Sequence, residues 1–250
     1  MTSPERNFKR ILLVALIAGA AGTMAAQGCF SVGDDTKVQF AQTNWARSEK
    51  HNLFQWTEIQ SRLVSGERLL SPTEWAYLFT EREAAYSLYA RALVNGMEGM
   101  VILPDRDTWS LPEGLHFDYD DGDEGYATNR YDGDDWTKME QAGAIFLPAA
   151  GYSPDGTELL DYKRYGTYWT SSPLSETESY HIQFDLGYLY YESMHSVNSS
   201  YRSVRSVTAW VPQGITGTEA NAKAVKVIRN GRLLIERGNK TFDVLGTELK

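Results

Sequence analysis

Apolar and polar residues alternate from Phe30 to Ala41, in FSVGDDTKVQFA, around Gly33-Asp34-Asp35, and this pattern predicts a hairpin or bent strand. An irregular stretch from Gln42 to Leu69 follows, with aromatic anchors at Trp45, Phe54 and Trp56. The period then changes. In SPTEWAYLFTEREAAY, Ser71 reads as an N-cap, Pro72 takes the first helical position and Glu74 closes a capping box. Trp75, Leu78, Phe79 and Arg82 recur at helical spacing, so Trp75, Leu78 and Phe79 are expected to face a core. Tyr89 to Pro104, YARALVNGMEGMVILP, predicts a β-hairpin turning at Asn95-Gly96. DDWTKMEQAG predicts a second short helix, capped by Asp132 or Asp134, burying Trp136 and Met139 and stopped by Gly143. AIFLPAAGY reads as an apolar strand ended by Pro148.

Beyond Tyr165 the period is 2 again. YGTYWTSSP, SYHIQFD, GYLYYES and YRSVRSVTAWV are four strand candidates, with Tyr180, Ile182 and Phe184 alternating against His181, Gln183 and Asp185. They are expected to form one antiparallel sheet. Residues 212–222, PQGITGTEANA, read as a polar linker, and residues 223–250 as a small C-terminal β hairpin of two or three short strands around Asn230-Gly231 and Gly238-Asn239.

The N-terminus adds a compartment. Arg6, Lys9 and Arg10 precede an apolar run from Ile11 to Ala21 and a small-residue zone, Thr23-Met24-Ala25-Ala26, so residues 1–26 read as a secretory signal peptide. That apolar run is short for a bilayer span, and no other segment reads as one. Export to the periplasm, the cell surface or the medium is expected. Cleavage there would change the formal charge from −9 to −11, by removing three bases and one acid. Nucleic acid is a poor partner for such a chain, since phosphate binding needs a basic surface. The single cysteine, Cys29, rules out an intrachain disulfide. Its place just past the apolar run raises a lipid anchor, but Ala26-Gln27-Gly28 is a poor lipobox and the first strand begins at Phe30, without a tether.

Six phrases occur together in a known order: FSVGDDTKVQFA, LLSPTEWAYLF, ARALVNGMEGMVILP, MEQAGAIFLPAAGY, YGTYWTSSP and YRSVRSV. In this order they resemble the exported bacterial proteins of the Fibrobacter succinogenes major paralogous domain family, itself similar to the formylglycine-generating-enzyme and C-type-lectin-like fold. The resemblance covers Phe30 to Val207. It implies an α+β domain over residues 30–211, with two short helices packed on a twisted antiparallel sheet and the first and last strands close together. It also implies a structural Arg205 that bonds backbone from within the sheet. The tail after Lys223 resembles short C-terminal segments of exported proteins in related bacteria, where a sorting or surface-retention role is one reading and an accessory hairpin the plainer one.

The chemistry of the enzymatic relatives is not legible. Formylglycine generation uses paired cysteines on copper, and this chain has one cysteine. His51, His116, His181 and His195 form no i, i+4 pair and no His-x-His, and each is expected to be a surface or hydrogen-bonded residue rather than a ligand. There is no nucleophile elbow, phosphate loop or dinucleotide turn. The expectation is therefore a non-enzymatic binding module without a cofactor, whose partner is a glycan or a protein.

Two candidate sites remain. The span from Glu113 to Asp135 carries nine acids against one Arg, with Asp118, Asp120 and Asp121 the cation candidates. The calcium-loop pattern fails, because its fifth position is Gly122, and a solvated loop is the plainer reading. Tyr188, Tyr190 and Tyr191, with Tyr201, read either as an exposed aromatic binding surface or as the ordinary half-buried face of a sheet.

Overall fold

The computed structural model describes residues 28–119, 122–211, 225–229, 232–237, 240–242 and 248–249. The expected signal peptide, the linker at 212–222, the two turn dipeptides of the tail, Asp120 and Asp121 lie outside the described residues.

The architecture is α+β, mostly strands in several antiparallel sheets with a few short helices. Strands β1 (Phe30–Gly33) and β2 (Thr36–Phe40) form the expected hairpin, with Phe30 opposite Val38. The stretch that looked irregular holds a short strand, β3 (Phe54–Gln55), running into a one-turn helix, α1 (Trp56–Ile59). Gln55 and Glu58 close a capping box there, built of residues too ordinary to stand out in a sequence.

Helix α2 (Pro72–Ala76) begins as expected. Ser71 Oγ accepts from the Glu74 amide at 3.2 Å, and the Glu74 carboxylate accepts from the Ser71 amide at 2.8 Å. After five residues the chain widens into a π-helical turn, Tyr77–Glu81, which the periodicity does not reveal. The wider turn ends where the Arg82 amide donates to Tyr77 O at 3.0 Å, while its guanidinium donates to the carbonyls of Leu78 (2.8 Å) and Leu103 (3.0 Å). Trp75 and Phe79 stack at 5.6 Å with 14° between their planes, inside the main core.

Strands β4 (Tyr89–Val94) and β5 (Met97–Ile102) pair residue for residue. Their two-residue turn has Asn95 at φ 50° and Gly96 at φ 76°, the left-handed pair that matches the twist of a hairpin. β6 (Arg130–Tyr131) adds parallel to β4, and after α3 (Asp134–Gln141) the strand β7 (Ile145–Pro148) adds antiparallel to β5. The β5–β7 contact is close. A Cβ on Gly99 would stand 2.4 Å from Leu147 O and from the Phe146 ring. Helix α3 buries Trp136 and Met139 and ends before Gly143 at φ 99°, as expected. Its cap differs, because neither Asp132 nor Asp134 caps it. The N-cap is Gly133 at φ 48°, whose amide donates to Asn95 Oδ1 at 2.8 Å, and Asp134 and Asp135 fill the first turn, where the helix dipole favours acids.

In the C-terminal half, β8 (Gly166–Pro173), β9 (Glu178–Phe184), β10 (Leu189–Tyr190) and β11 (His195–Val197) form one antiparallel sheet around β9. The fourth candidate strand meets it only at one parallel bridge, Ser203 to Tyr168, and is not one of its antiparallel strands. It divides into β12 (Tyr201–Arg202), paired with β3, and β13 (Val207–Ala209), paired with β2. Between them Arg205 turns inward and donates to the carbonyls of Ala41 (2.9 Å), Gln42 (3.0 Å) and Phe146 (2.6 Å), and to Asn44 Oδ1 (2.9 Å). Arg205 thus bonds backbone, from a linking segment rather than from within a strand, and the two ends of the body meet at β2–β13.

The alternation along β9 also needs correction. Ile182 and Phe184 enter the main core, but Ser179 and His181 are buried on the opposite face and Tyr180 is half-buried, because β9 is covered on both sides. The tail is larger than a hairpin. β14 (Val225–Arg229), β15 (Arg232–Arg237), β16 (Lys240–Phe242) and β17 (Glu248–Leu249) form a four-stranded antiparallel meander.

Candidate functional site

The tyrosines of GYLYYES divide by position. Tyr190 lies on β10 and Tyr188 just before it, two residues apart and so on one face, and their rings stack at 5.8 Å and 21° with 62% and 38% of their surfaces exposed. Tyr191 points the other way, half-buried with its ring 6.1 Å from Phe79. Tyr201 sits elsewhere, on β12 beside Lys50 and Arg47. The stacked pair is held from beneath. Buried Arg91 of β4 donates from Nε to Asp185 O (2.8 Å) and from a terminal nitrogen to Tyr188 O (2.9 Å). Asp185 Oδ1 accepts from the amides of Gly187 and Tyr188, both at 2.9 Å. Leu186, also exposed, extends the apolar face at the turn.

The acidic span is organised by an amide. Asn129, fully buried, accepts from the Asp118 amide (2.8 Å) and donates to Asp118 O (2.7 Å) and Arg91 O (3.0 Å). Tyr131 donates to His116 O at 2.6 Å, and Tyr126 to Arg164 O at 3.1 Å. Asp118 is exposed, and the bonds of the Asn129 clamp reach its backbone. Among the described residues, no group of three His, Cys, Asp or Glu side chains could hold a metal ion.

Cys29 is placed inside, 1% exposed, with Sγ 3.9 Å from Asp105. Asp105 accepts from the Ser31 amide (3.0 Å) and hydroxyl (2.7 Å) and pairs with Arg82 (3.4 Å) and Lys37 (3.5 Å). Burial pushes the Cys29 thiol up to about 11, with Asp105 adding to the rise and Lys37 opposing it. Gly28 packs so closely on Gly143 that a Cβ there would lie 2.4 Å from Gly143 O.

His51, His116 and His195 are exposed, the last with Nδ1 3.3 Å from Glu178. His181 breaks the expectation of a surface or satisfied residue. It is 2% exposed, its ring meets Trp169 edge-on at 5.9 Å, and neither ring nitrogen has a hydrogen-bond partner in the protein. Sequence reasoning also missed three successive non-glycine residues in the left-handed region, Lys50 (φ 53°), His51 (φ 58°) and Asn52 (φ 61°). His51 and Asn52 line a groove of about 300 Å³ with Asn44, Trp45 and Tyr162. Only Asn52, a residue tolerant of positive φ, hinted at this turn.

No protein-family model, no curated protein and no solved structure matches the chain.

Proposed function

We propose that this chain is an exported, non-enzymatic binding module of a bacterial cell surface or periplasm, with a C-type-lectin-like α+β body, and that Tyr188 and Tyr190 form its ligand-contacting face. The observation that carries this reading is the exposed, mutually stacked tyrosine pair on a turn held by Arg91 and Asp185. Large aromatic faces in water are costly unless used, and tyrosine gives contact area with little side-chain entropy to lose. A sugar ring packing on the outer face of Tyr188 is the partner chemistry favoured here, because a rigid aromatic face with a hydroxyl at its edge matches the apolar C–H face and the hydroxyl rim of a sugar. The meeting of β2 with β13 supports the fold reading.

The test is a glycan array followed by titration of the best polysaccharide. Tyr188→Ala and Tyr190→Ala are each expected to weaken binding by about tenfold or more, the scale of an aromatic anchor, with thermal stability unchanged. Binding that survives the double substitution would remove the tyrosine face from consideration.

A second reading, a structural subunit of a surface assembly, is favoured by the four-stranded meander of the tail. Its outer strands β14 and β17 each pair with one neighbour among the described residues, leaving edges for another chain. Sedimentation separates the readings. A binding module stays monomeric and retains its glycan, whereas an assembly subunit self-associates through the tail.

A further inference from the structure

Arg202 is the most isolated charge among the buried residues described. Three other buried arginines have electronegative partners: Arg82 has Asp105 and backbone carbonyls, Arg91 two carbonyls, and Arg205 three carbonyls and an amide oxygen. Arg202, 5% exposed, pairs with no carboxylate among the described residues. Its terminal nitrogens donate to two hydroxyls, Ser200 Oγ and Ser196 Oγ (2.6 Å for the latter), its Cζ lies 4.7 Å from the Trp169 ring centre and 5.6 Å from that of Tyr152, and Nε has no partner. Burial lowers its pKa to about 10, which leaves it charged at neutral pH. A buried charge without a counter-charge is among the most expensive arrangements in a folded protein.

The groups around it are donors in the same condition. On β9, Ser179 and His181 share a face; Trp169 of β8 stands directly opposite His181, and Ser196 of β11 directly opposite Ser179. Ser179 Oγ and both nitrogens of His181 have no partner. Ser200 passes its hydroxyl proton to Val197 O (2.7 Å), whereas Ser196 only accepts. His181 stays neutral because burial, then Arg202 and His195, push its pKa down to about 2. A neutral imidazole offers one N–H. Arg202 Nε, Ser179, Ser196 and His181 therefore each hold one unused donor beside one positive charge.

We propose that Arg202, His181, Ser179 and Ser196 bind a single monovalent anion of chloride's size within the sheet. One negative charge balances Arg202, and a monatomic ion accepts from several separate donors without the directional match an oxyanion needs. The ion ties β12 to β9 and β11, and β12 in turn carries β3 and the bridge from Tyr201 to Ser153. Its role is structural, independent of the tyrosine face.

The experiment compares thermal melting in sodium chloride and sodium gluconate at equal ionic strength, with crystals of the same protein soaked in sodium bromide. Equal ionic strength cancels the screening that any salt gives a chain of net charge −9. The expected result is melting about 5 °C higher once chloride exceeds its Kd a hundredfold, and an anomalous bromide peak between Arg202 Nε and the His181 ring. This order is opposite to that of general exclusion, which favours gluconate. Arg202→Met should abolish the advantage of chloride, leaving melting in gluconate equal or higher. If that variant does not fold, the bromide map of the unchanged protein decides. Equal melting in the two salts, or a bromide map empty at Arg202 with water refined among these donors, would overturn the proposal.

Discussion

Two single residues carry testable weight. His181 is held neutral by burial, with Arg202 and His195 acting the same way, and its pKa stands at about 2 against an ordinary 6.5. The unfolded chain therefore binds a proton below pH 6.5 that the folded chain does not, so stability is intact above the unfolded value and falls as the pH drops towards the folded one. In halide-free gluconate buffer, where no small anion offsets Arg202, the expected loss is about 1.4 kcal/mol for each pH unit below about 6, and His181→Phe should remove that slope. Denaturant melts of both proteins at pH 7, 6, 5 and 4 measure it, and parallel curves would mean that His181 takes up its proton in the native state. Cys29 makes the second case. Buried and raised to about 11, it is about one part in a thousand thiolate at pH 8. A thiol reagent should label it only after denaturation, and the intact mass of the protein isolated from its native cells should show no acyl group. Lipidation would need the sulfur outside, and Gly28, packed on Gly143, removed; an acyl mass on Cys29 would overturn the expectation of an unmodified, buried thiol.

At the scale of elements, α2 is the sharpest case, because its start is encoded locally and its burial is not. Ser71→Ala removes one cap bond and should cost about 1 kcal/mol. Trp75→Ala empties a site among Phe40, Phe79 and Leu70 and should cost about 3 to 5 kcal/mol. Trp75→Phe is expected to lie nearer the cap variant, since Trp75 Nε1 has no partner to lose. Equilibrium denaturation ranks the three, and an alanine no worse than the cap variant would take Trp75 out of the core. The same division explains what the sequence discloses. The hairpin at Asn95-Gly96, the capping box at Ser71 and the stop at Gly143 are written in neighbouring residues, and each is found where its signal lies. The π turn at Tyr77–Glu81, the Gly133 cap and the division of YRSVRSVTAWV depend on partners far along the chain: Leu103 for Arg82, Asn95 for Gly133, Ala41 and Phe146 for Arg205. Alternation in SYHIQFD misled for the same reason, since Arg202 of β12 lies against Trp169 and Ser196, the cross-strand neighbours of His181 and Ser179 on the second face of β9. Of the candidate sites, Tyr188 and Tyr190 are visible as a cluster and their spacing separates them from Tyr191, but which face lies outside is decided by the packing of Tyr191 on Phe79.

Across the whole molecule the dominant fact is charge, −9 for the full chain, and its densest span runs from Glu113 to Asp135. Like charges so close repel, and around an exposed residue such as Asp118 water and salt screen most of that repulsion. The span keeps its place by other means. Asn129 clamps Asp118 to Arg91 through three bonds, while Leu115 and Phe117 pack on the core that holds Trp136. Two substitutions should therefore diverge. Asn129→Ala removes all three hydrogen bonds of a fully buried amide side chain and is expected to destabilise by about 2 to 4 kcal/mol. Asp118→Asn, Asp120→Asn and Asp121→Asn together are expected to leave stability at neutral pH unchanged or slightly raised, through relief of repulsion. A cation held only by the folded chain would reverse the second expectation. At a hundred times its dissociation constant it would add about 2.7 kcal/mol, so calcium would raise the melting temperature of the parent and not of the triple variant. Melting both proteins with chelator and with millimolar calcium distinguishes the cases, and a rise confined to the parent would make this span a cation site. Melting that calcium does not raise in either protein, with Asn129→Ala clearly weakened, is the result that a solvated acidic loop on a buried asparagine clamp requires.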